Sequence, residues 1–121
     1  MKFIDSDTNF PISSAVIHSG RIFEAVVTGI PDGASKPVPG GAAAEMREAF
    51  RQLDLLLAEA GVDRKAICTA RLYLHNVIHD VPDVNVVWKE YFGDHPVVRR
   101  CYGVVLQAGM RVEAAFTAEI P

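Results

Sequence analysis

The chain has 121 residues, a formal net charge of −3 and a hydrophobic content of 50%, values typical of one soluble globular domain spanning residues 1–121. The acidic balance and the absence of a basic run disfavour nucleic acid as a partner. No apolar stretch of membrane-spanning length and no N-terminal signal-peptide pattern is present. We therefore expect a cytoplasmic protein that has no membrane partner and keeps Cys68 and Cys101 reduced.

Three short strands are predicted in the first 29 residues, because apolar runs alternate there with turn-forming residues. Their sequences are KFI, SSAVIHSG and RIFEAVVTG, the last of which ends at Gly29. The following segment IPDGASKPVPGG (residues 30–41) contains three prolines and three glycines. It is expected to be a loop, since both residue types interrupt helices and strands.

The clearest helical pattern covers residues 42–61, where apolar side chains recur at spacings of three and four. This apolar stripe consists of Met46, Ala49, Phe50, Leu53, Leu56, Leu57 and Ala60. Glu45 and Glu48 suit the positive end of the helix dipole, and Gly61 is a typical stop signal. One face of this helix should therefore pack on another layer of the fold.

The second half of the chain predicts a strand, a helix and a hairpin. A strand is predicted over residues 66–76 (AICTARLYLHN), with Cys68 on the same face as three apolar residues. A helix is predicted over residues 81–93 (VPDVNVVWKEYFG), with Trp88 in its apolar stripe. VRRCYGVVL (98–106) and MRVEAAFTAEI (110–120) predict two strands joined across QAG. The order βββ-α-β-α-ββ indicates an α+β sandwich, with a mixed sheet and both helices on one face.

Side-chain alternation divides the predicted hairpin into two faces. Arg100 and Tyr102 are expected beneath the helices, together with alternate residues of the last strand from Met110 to Phe116. Arg99, Cys101 and Glu113 fall on the other face among small and apolar residues, a composition typical of a surface that another subunit covers. On spacing alone, a surface ion pair worth under about 1 kcal/mol stays open as the explanation of Arg99 and Glu113.

His75 and His79 are four residues apart, a spacing that could bind a metal ion on a helix. Their predicted position at a strand end favours a solvated loop and no metal site. The sequence contains no nucleotide-binding loop and no serine-hydrolase motif.

The segment YFGDHPVVRRCYGVVLQAGMRVEAAF resembles the C-terminal signature of the RidA/YjgF family, whose members are also called endoribonuclease L-PSP-like. The matching positions are Tyr91, Phe92, His95, Pro96, Arg99, Cys101, Leu106, Gly109, Val112 and Glu113. The resemblance covers residues 43–119 well and the first 40 residues weakly.

This resemblance implies a chorismate-mutase-like subunit of the bacillus type, assembled as a homotrimer with clefts between subunits. It also implies cofactor-independent hydrolysis of reactive enamines and imines, such as 2-aminoacrylate, to 2-keto acids and ammonia. The family arginine corresponds to Arg99, the glutamate to Glu113 and the strand cysteine to Cys101. A guanidinium suits a substrate carboxylate, a glutamate can act as general base on water, and Cys101 is expected to offer a backbone N–H.

The predicted hairpin register places Glu113 near Gly103, about 13 Å along the strand from Arg99. We therefore expect Arg99 of one subunit to meet Glu113 of the next. Ile12 stands at the position of a family tyrosine, and Thr28-Gly29 at the position of its serine-glycine, and these three residues complete the expected substrate-binding set. The departures leave two alternatives open: a catabolic deaminase for a substrate like 2-aminomuconate, and a regulatory trimer that binds 2-keto acids without turnover.

Overall fold

The computed structural model describes all residues from 1 to 121 and contains six strands and two α-helices. The strands are β1 (Lys2–Ser6), β2 (Ser13–His18), β3 (Ile22–Thr28), β4 (Ile67–Leu74), β5 (Val98–Gly103) and β6 (Val112–Glu119). The helices are α1 (Gly41–Glu59) and α2 (Val77–Phe92). Neither helix combines the length and the apolarity needed to cross a membrane.

All six strands form one mixed sheet in the order β1-β2-β3-β6-β4-β5. Every neighbouring pair is antiparallel except β4 and β5, which are parallel and connected through α2. Alternate strand residues join the inner residues of both helices in one buried cluster, so the helices cover one face of the sheet and leave the other uncovered. The predicted α+β class, with a mixed sheet and both helices on one face, is confirmed.

The buried face of helix α1 consists largely of the apolar residues predicted to form its stripe. Met46, Ala49 and Leu53 are fully buried, and the predicted stop is confirmed because Gly61 adopts a φ of 80° after the last turn. Glu45 was expected to suit the helix dipole, but it lies beyond the first turn of α1 and is buried. It is only 3% exposed, and its Oε1 accepts a 2.8 Å hydrogen bond from the backbone N–H of Arg111.

Helix α2 begins four residues before the predicted start at Val81. The side-chain oxygen of Asn76 accepts a hydrogen bond from the N–H of His79 and caps the helix. Pro82 consequently lies inside the helix, whereas proline is most common in the first turn, which is why the pattern favoured a later start. His79 therefore belongs to the first helical turn rather than to a loop. No three His, Cys, Asp or Glu side chains are grouped to hold a metal ion.

The predicted hairpin of the last two strands is wrong. β5 lies at the edge of the sheet beside β4, whereas β6 lies between β3 and β4. The QAG segment is therefore part of a longer connection, residues 104–111, that passes over the end of β4. Glycine-containing turns between two strand patterns favour a hairpin, but strand partners depend on contacts that are distant in sequence.

The predicted faces of β5 are reversed by this arrangement. Arg99 pairs with Ala70 and therefore lies on the helix side, as does Cys101. Arg100 and Tyr102 lie on the uncovered face. Alternation indicates that neighbouring residues point in opposite directions, but it does not indicate which direction is covered. In β6 the predicted faces are confirmed, because alternate residues from Val112 to Phe116 are buried and those between them are not.

Strand β4 also departs from its predicted face at one residue. Cys68 was expected to lie on the same side as Ala70, but a bulge between Ile67 and Thr69 turns it to the surface. A bulge inserts one residue into the alternation, and so two consecutive residues can face solvent.

Candidate active site

Arg99 lies on edge strand β5, and its guanidinium rests against α2. Its Nη1 donates a 2.9 Å hydrogen bond to Oδ1 of Asn85, and its Cζ lies 4.8 Å from the centre of the Trp88 ring. Asn85 and Trp88 are three residues apart and therefore share one face of the helix. No carboxylate forms an ion pair with Arg99. Neutral groups thus hold the guanidinium, and its charge has no anionic partner within the chain.

Cys101 follows Arg99 on the same side of β5. It pairs with the fully buried Leu72, and its free thiol packs against the hydrophobic core. The thiol is therefore directed into the interior of the chain. Because β5 is an edge strand, the backbone groups along its outer side have no neighbouring strand.

Glu113 lies on the uncovered face of the sheet, in register with Thr28 on β3 and Tyr73 on β4. Its side chain is half-buried and forms no ion pair with another residue of the chain. The hydroxyl oxygen of Thr28 accepts a 3.2 Å hydrogen bond from the N–H of Ile30, where the chain leaves the strand. Gly29 lies directly behind, with its backbone against Glu45 of α1.

Ile12 lies just before β2 and is 57% exposed. It lines a groove of about 500 Å³ that also contacts Thr28, and an adjoining groove of about 580 Å³ that extends to Val26 and Arg71. Ile12, Thr28, Gly29 and Glu113 therefore belong to the region around β2, β3 and β6. Arg99 and Cys101 belong to a different region, between β5 and α2.

Arg99 and Glu113 do not meet within one chain. They lie on opposite faces of the sheet, and β4 separates their strands. Two strand spacings amount to about 10 Å, and the three residues from Tyr102 back to Arg99 add about 10 Å along the strand direction. The separation follows from the position of β4 and not from the hairpin register on which it was predicted.

Two buried acids, Glu45 and Asp80, lie behind Glu113 on the helix side of the sheet. Asp80 is 1% exposed; its carboxylate accepts hydrogen bonds of 3.1 and 3.2 Å from Nη1 of Arg111, and it lies 2.7 Å from Nδ1 of His79. Burial raises the pKa of Glu45 above its ordinary value, although the N–H groups of Arg111 and Val112 act in the opposite direction. These acids hold the beginning of β6, and hence the backbone next to Glu113.

Sequence reasoning missed Asn85 and both buried acids as parts of the site region. The spacing of Asn85 and Trp88 on a predicted helix was a usable signal, but nothing local indicated that this helix face meets Arg99. Nothing in the sequence near Glu45 or Asp80 signals burial, because their common partner Arg111 is 31 residues or more away along the chain.

Comparison with known proteins identifies the family. Residues 6–120 match the family model described as Endoribonuclease L-PSP. The 2-iminobutanoate/2-iminopropanoate deaminase of Bos taurus is 34% identical over 104 residues, which are 85% of this chain and 75% of the bovine protein. The chain therefore belongs to the endoribonuclease L-PSP family, which is the YjgF/RidA family, and the resemblance of its C-terminal signature is confirmed.

Solved structures of Escherichia coli proteins have the same fold. The YjgF gene product superimposes with a TM-score of 0.84 at 19% identity, covering 98% of both chains. TdcF, whose crystal structure contains bound serine, superimposes with a TM-score of 0.85 at 18% identity, covering 100% of both chains. At this identity the two structures are evidence for the fold.

Proposed function

We propose that the protein is an imine deaminase, which hydrolyses 2-imino acids and the related enamines to 2-keto acids and ammonia. The observation that carries this proposal is the Arg99 guanidinium, which Asn85 and Trp88 hold without an anionic partner. A guanidinium of fixed orientation suits the carboxylate that all these substrates share. The name of the bovine relative supports the same substrate class, and the serine bound to TdcF is also a small amino-acid carboxylate.

The complete site requires a homotrimer with chorismate-mutase-like clefts between neighbouring subunits. The first observation that supports a trimer is the separation of Arg99 from Glu113, which lie on opposite faces of the sheet. The second is the uncovered face, which exposes the large apolar side chains of Phe3, Val26 and Tyr102. Exposed apolar surface of this kind is typical of a protein–protein interface. Arg99 and the backbone of Cys101 in one subunit then face the groove region of the next.

In this cleft the substrate carboxylate accepts two parallel hydrogen bonds from Arg99, which fixes the adjacent imine carbon. Glu113 of the neighbouring subunit accepts a proton from water while the water oxygen adds to that carbon. The substrate enters as the protonated imine, so this addition gives a neutral carbinolamine. Glu113 returns its proton to the nitrogen and ammonia leaves, while the hydroxyl oxygen forms the C=O bond of the 2-keto acid and gives up its proton to the departing ammonia. One water is consumed for each imine, and the reaction requires no cofactor.

The remaining predicted residues shape the cleft in this proposal. Thr28 and Gly29 offer backbone groups beside Glu113, and Cys101 offers its backbone beside Arg99. Ile12 makes one wall of the groove apolar. An apolar wall favours the short alkyl chains of 2-iminopropanoate and 2-iminobutanoate over a substrate with a second carboxylate, such as 2-aminomuconate.

Ammonia release from 2-iminopropanoate, generated in the assay by an amino-acid oxidase acting on alanine, tests the proposal. After subtraction of spontaneous hydrolysis, Arg99→Ala should lower kcat/KM by about 100-fold or more, since two charge-assisted hydrogen bonds are lost. Arg99→Lys retains the positive charge but lacks the paired N–H donors of the guanidinium, and its activity should also be lower than that of the wild type. Arg47→Ala removes an exposed arginine on α1 and serves as the control.

Equal rates for the wild type and Arg99→Ala would contradict the proposal. Binding of a 2-keto acid that depends on Arg99, without any acceleration of ammonia release, would instead identify a regulatory trimer. Isothermal titration of both proteins with pyruvate distinguishes this alternative from the deaminase.

A further inference from the structure

The contact between Arg99 and α2 assigns a role to two helix residues. We propose that Asn85 and Trp88 are positioning residues, which select the edge formed by Nε and Nη2 of Arg99 as the fork for the substrate carboxylate. This inference rests on the proposed function and adds the groups that orient the arginine.

Asn85 engages one of the three nitrogens of the Arg99 guanidinium. The five N–H donors of an arginine are arranged in a planar fork geometry, and a carboxylate binds best to two parallel donors. Nη1 donates its hydrogen bond to Oδ1 of Asn85 at 2.9 Å. The only hydrogen bond of the Arg99 side chain within the chain is this one, so Nε and Nη2 have no acceptor there. Of the two edges that could bind a carboxylate, the one that combines Nε and Nη2 is the one whose nitrogens are both free of a protein acceptor.

Trp88 determines the plane of the guanidinium. The distance of 4.8 Å from Cζ of Arg99 to the ring centre is within the range of a cation–π interaction. The ring is itself held, because its centroid lies 4.9 Å from that of Phe92 and 5.9 Å from that of Phe116. Phe116 belongs to β6, and so the aromatic contacts fix the position of Trp88 relative to the sheet.

Together the two contacts restrict a long and otherwise mobile side chain before the substrate arrives. A free arginine loses rotamer entropy when it binds a ligand, whereas a side chain that is already oriented loses less. Replacement of Asn85 or Trp88 leaves the charge of Arg99 intact but removes this restriction. The effect should therefore appear chiefly in KM, because ground-state and transition-state binding weaken together.

Three variants test the role of α2. Trp88→Leu removes the π face, Trp88→Phe retains a smaller one, and Asn85→Ala frees Nη1. We expect KM to rise by about threefold to tenfold in Trp88→Leu and Asn85→Ala, and less in Trp88→Phe, with kcat close to the wild-type value. Asn85 is exposed, so its variant tests the proposal even if Trp88→Leu does not fold.

The sequence also provides a direct optical signal, because Trp88 is the only tryptophan. Pyruvate bound to Arg99 should produce a saturable change in tryptophan emission, which Arg99→Ala should abolish. Tyr91→Phe is the control, since Tyr91 stacks on Phe50 in the same aromatic cluster at 3.8 Å and forms no cation–π contact with Arg99. It should leave KM and the pyruvate titration unchanged.

The outcomes separate this inference from the proposed function. Unchanged KM in Trp88→Leu and Asn85→Ala, in a protein whose activity requires Arg99, would overturn the positioning role alone. If the wild type releases no ammonia but its Trp88 emission still responds to pyruvate, with weaker binding in Asn85→Ala, the positioning role stands and the deaminase activity does not.

Discussion

Glu45 of α1 occupies the space that a side chain on Gly29 would need. A Cβ at residue 29 would lie 2.5 Å from Cβ of Glu45 and 2.8 Å from its Cα. Helix α1 can therefore approach the end of β3 this closely only because residue 29 is glycine. The contact lies behind Thr28, whose register partner is Glu113, so it also positions one half of the proposed cleft.

Gly29→Ala should destabilise the protein by about 2 kcal/mol or more, since the new methyl group meets helix backbone and a buried side chain that cannot move aside. Urea denaturation followed by circular dichroism measures the loss. Gly103→Ala is the matched comparison, because the nearest obstacle there is a single methyl group of Val77 at 2.9 Å. Gly103→Ala should lower the free energy of unfolding by less than Gly29→Ala does. An equal or larger decrease would contradict this explanation.

The stability difference between the wild type and Glu45→Gln should depend on pH. Burial raises the pKa of Glu45 in the folded state above its unfolded value, so the folded protein binds the proton more tightly. The stability contributed by this group is present below the unfolded pKa and is lost as the pH rises through the folded pKa. A glutamine stays neutral, and its carbonyl oxygen can still accept the N–H of Arg111.

Denaturant midpoints of both proteins from pH 4 to 8 measure this effect. At low pH the two proteins should be similar, and at neutral pH Glu45→Gln should be the more stable. The difference between the two midpoints at each pH reports on Glu45 alone, since all other acids are common to both proteins. A variant that is less stable at neutral pH would show that the ionised carboxylate, through Arg111, contributes more than its burial costs.

The uncovered sheet face should be required for assembly. Val26 is 50% exposed on this face, and Leu55 is 59% exposed on α1. Val26→Asp should dissociate the proposed trimer with its secondary structure retained, because a charge would be buried in an apolar interface. Leu55→Asp should remain trimeric. Analytical ultracentrifugation distinguishes one chain from three, and a trimeric Val26→Asp would argue against this interface.

Mixed trimers test whether the site combines two subunits. Arg99→Ala and Glu113→Ala should each be inactive alone. In a cyclic trimer that contains both, one cleft of the three combines the intact Arg99 with the intact Glu113. Random assembly from equal amounts should therefore restore about one quarter of the wild-type activity.

The control for this experiment mixes Arg99→Ala with the double variant Arg99→Ala/Glu113→Ala, in which no subunit supplies the guanidinium. This mixture should remain inactive. If the first mixture also shows no recovery, although mass spectrometry detects mixed trimers, the two residues do not act together across an interface.

Local features of the fold were predictable from the sequence. The stripe and the stop of α1, the three N-terminal strands and the two faces of β6 depend on residues that are close along the chain. The signature around Arg99 and Glu113 is local too, which is why it identified the family before any geometry was known. The start of α2 was misplaced because Pro82 resembles a first-turn proline, whereas the cap is Asn76.

The sequence by itself determined the elements, the family and the fact that Arg99 and Arg100 point in opposite directions. Only the tertiary structure decided that Arg99 faces α2 and Arg100 the uncovered side. The physical reason is that alternation specifies relative orientation, whereas the covered face of β5 depends on its parallel pairing with β4 and on the path of α2 between them. The same pairing brings Asn85 and Trp88 to the guanidinium.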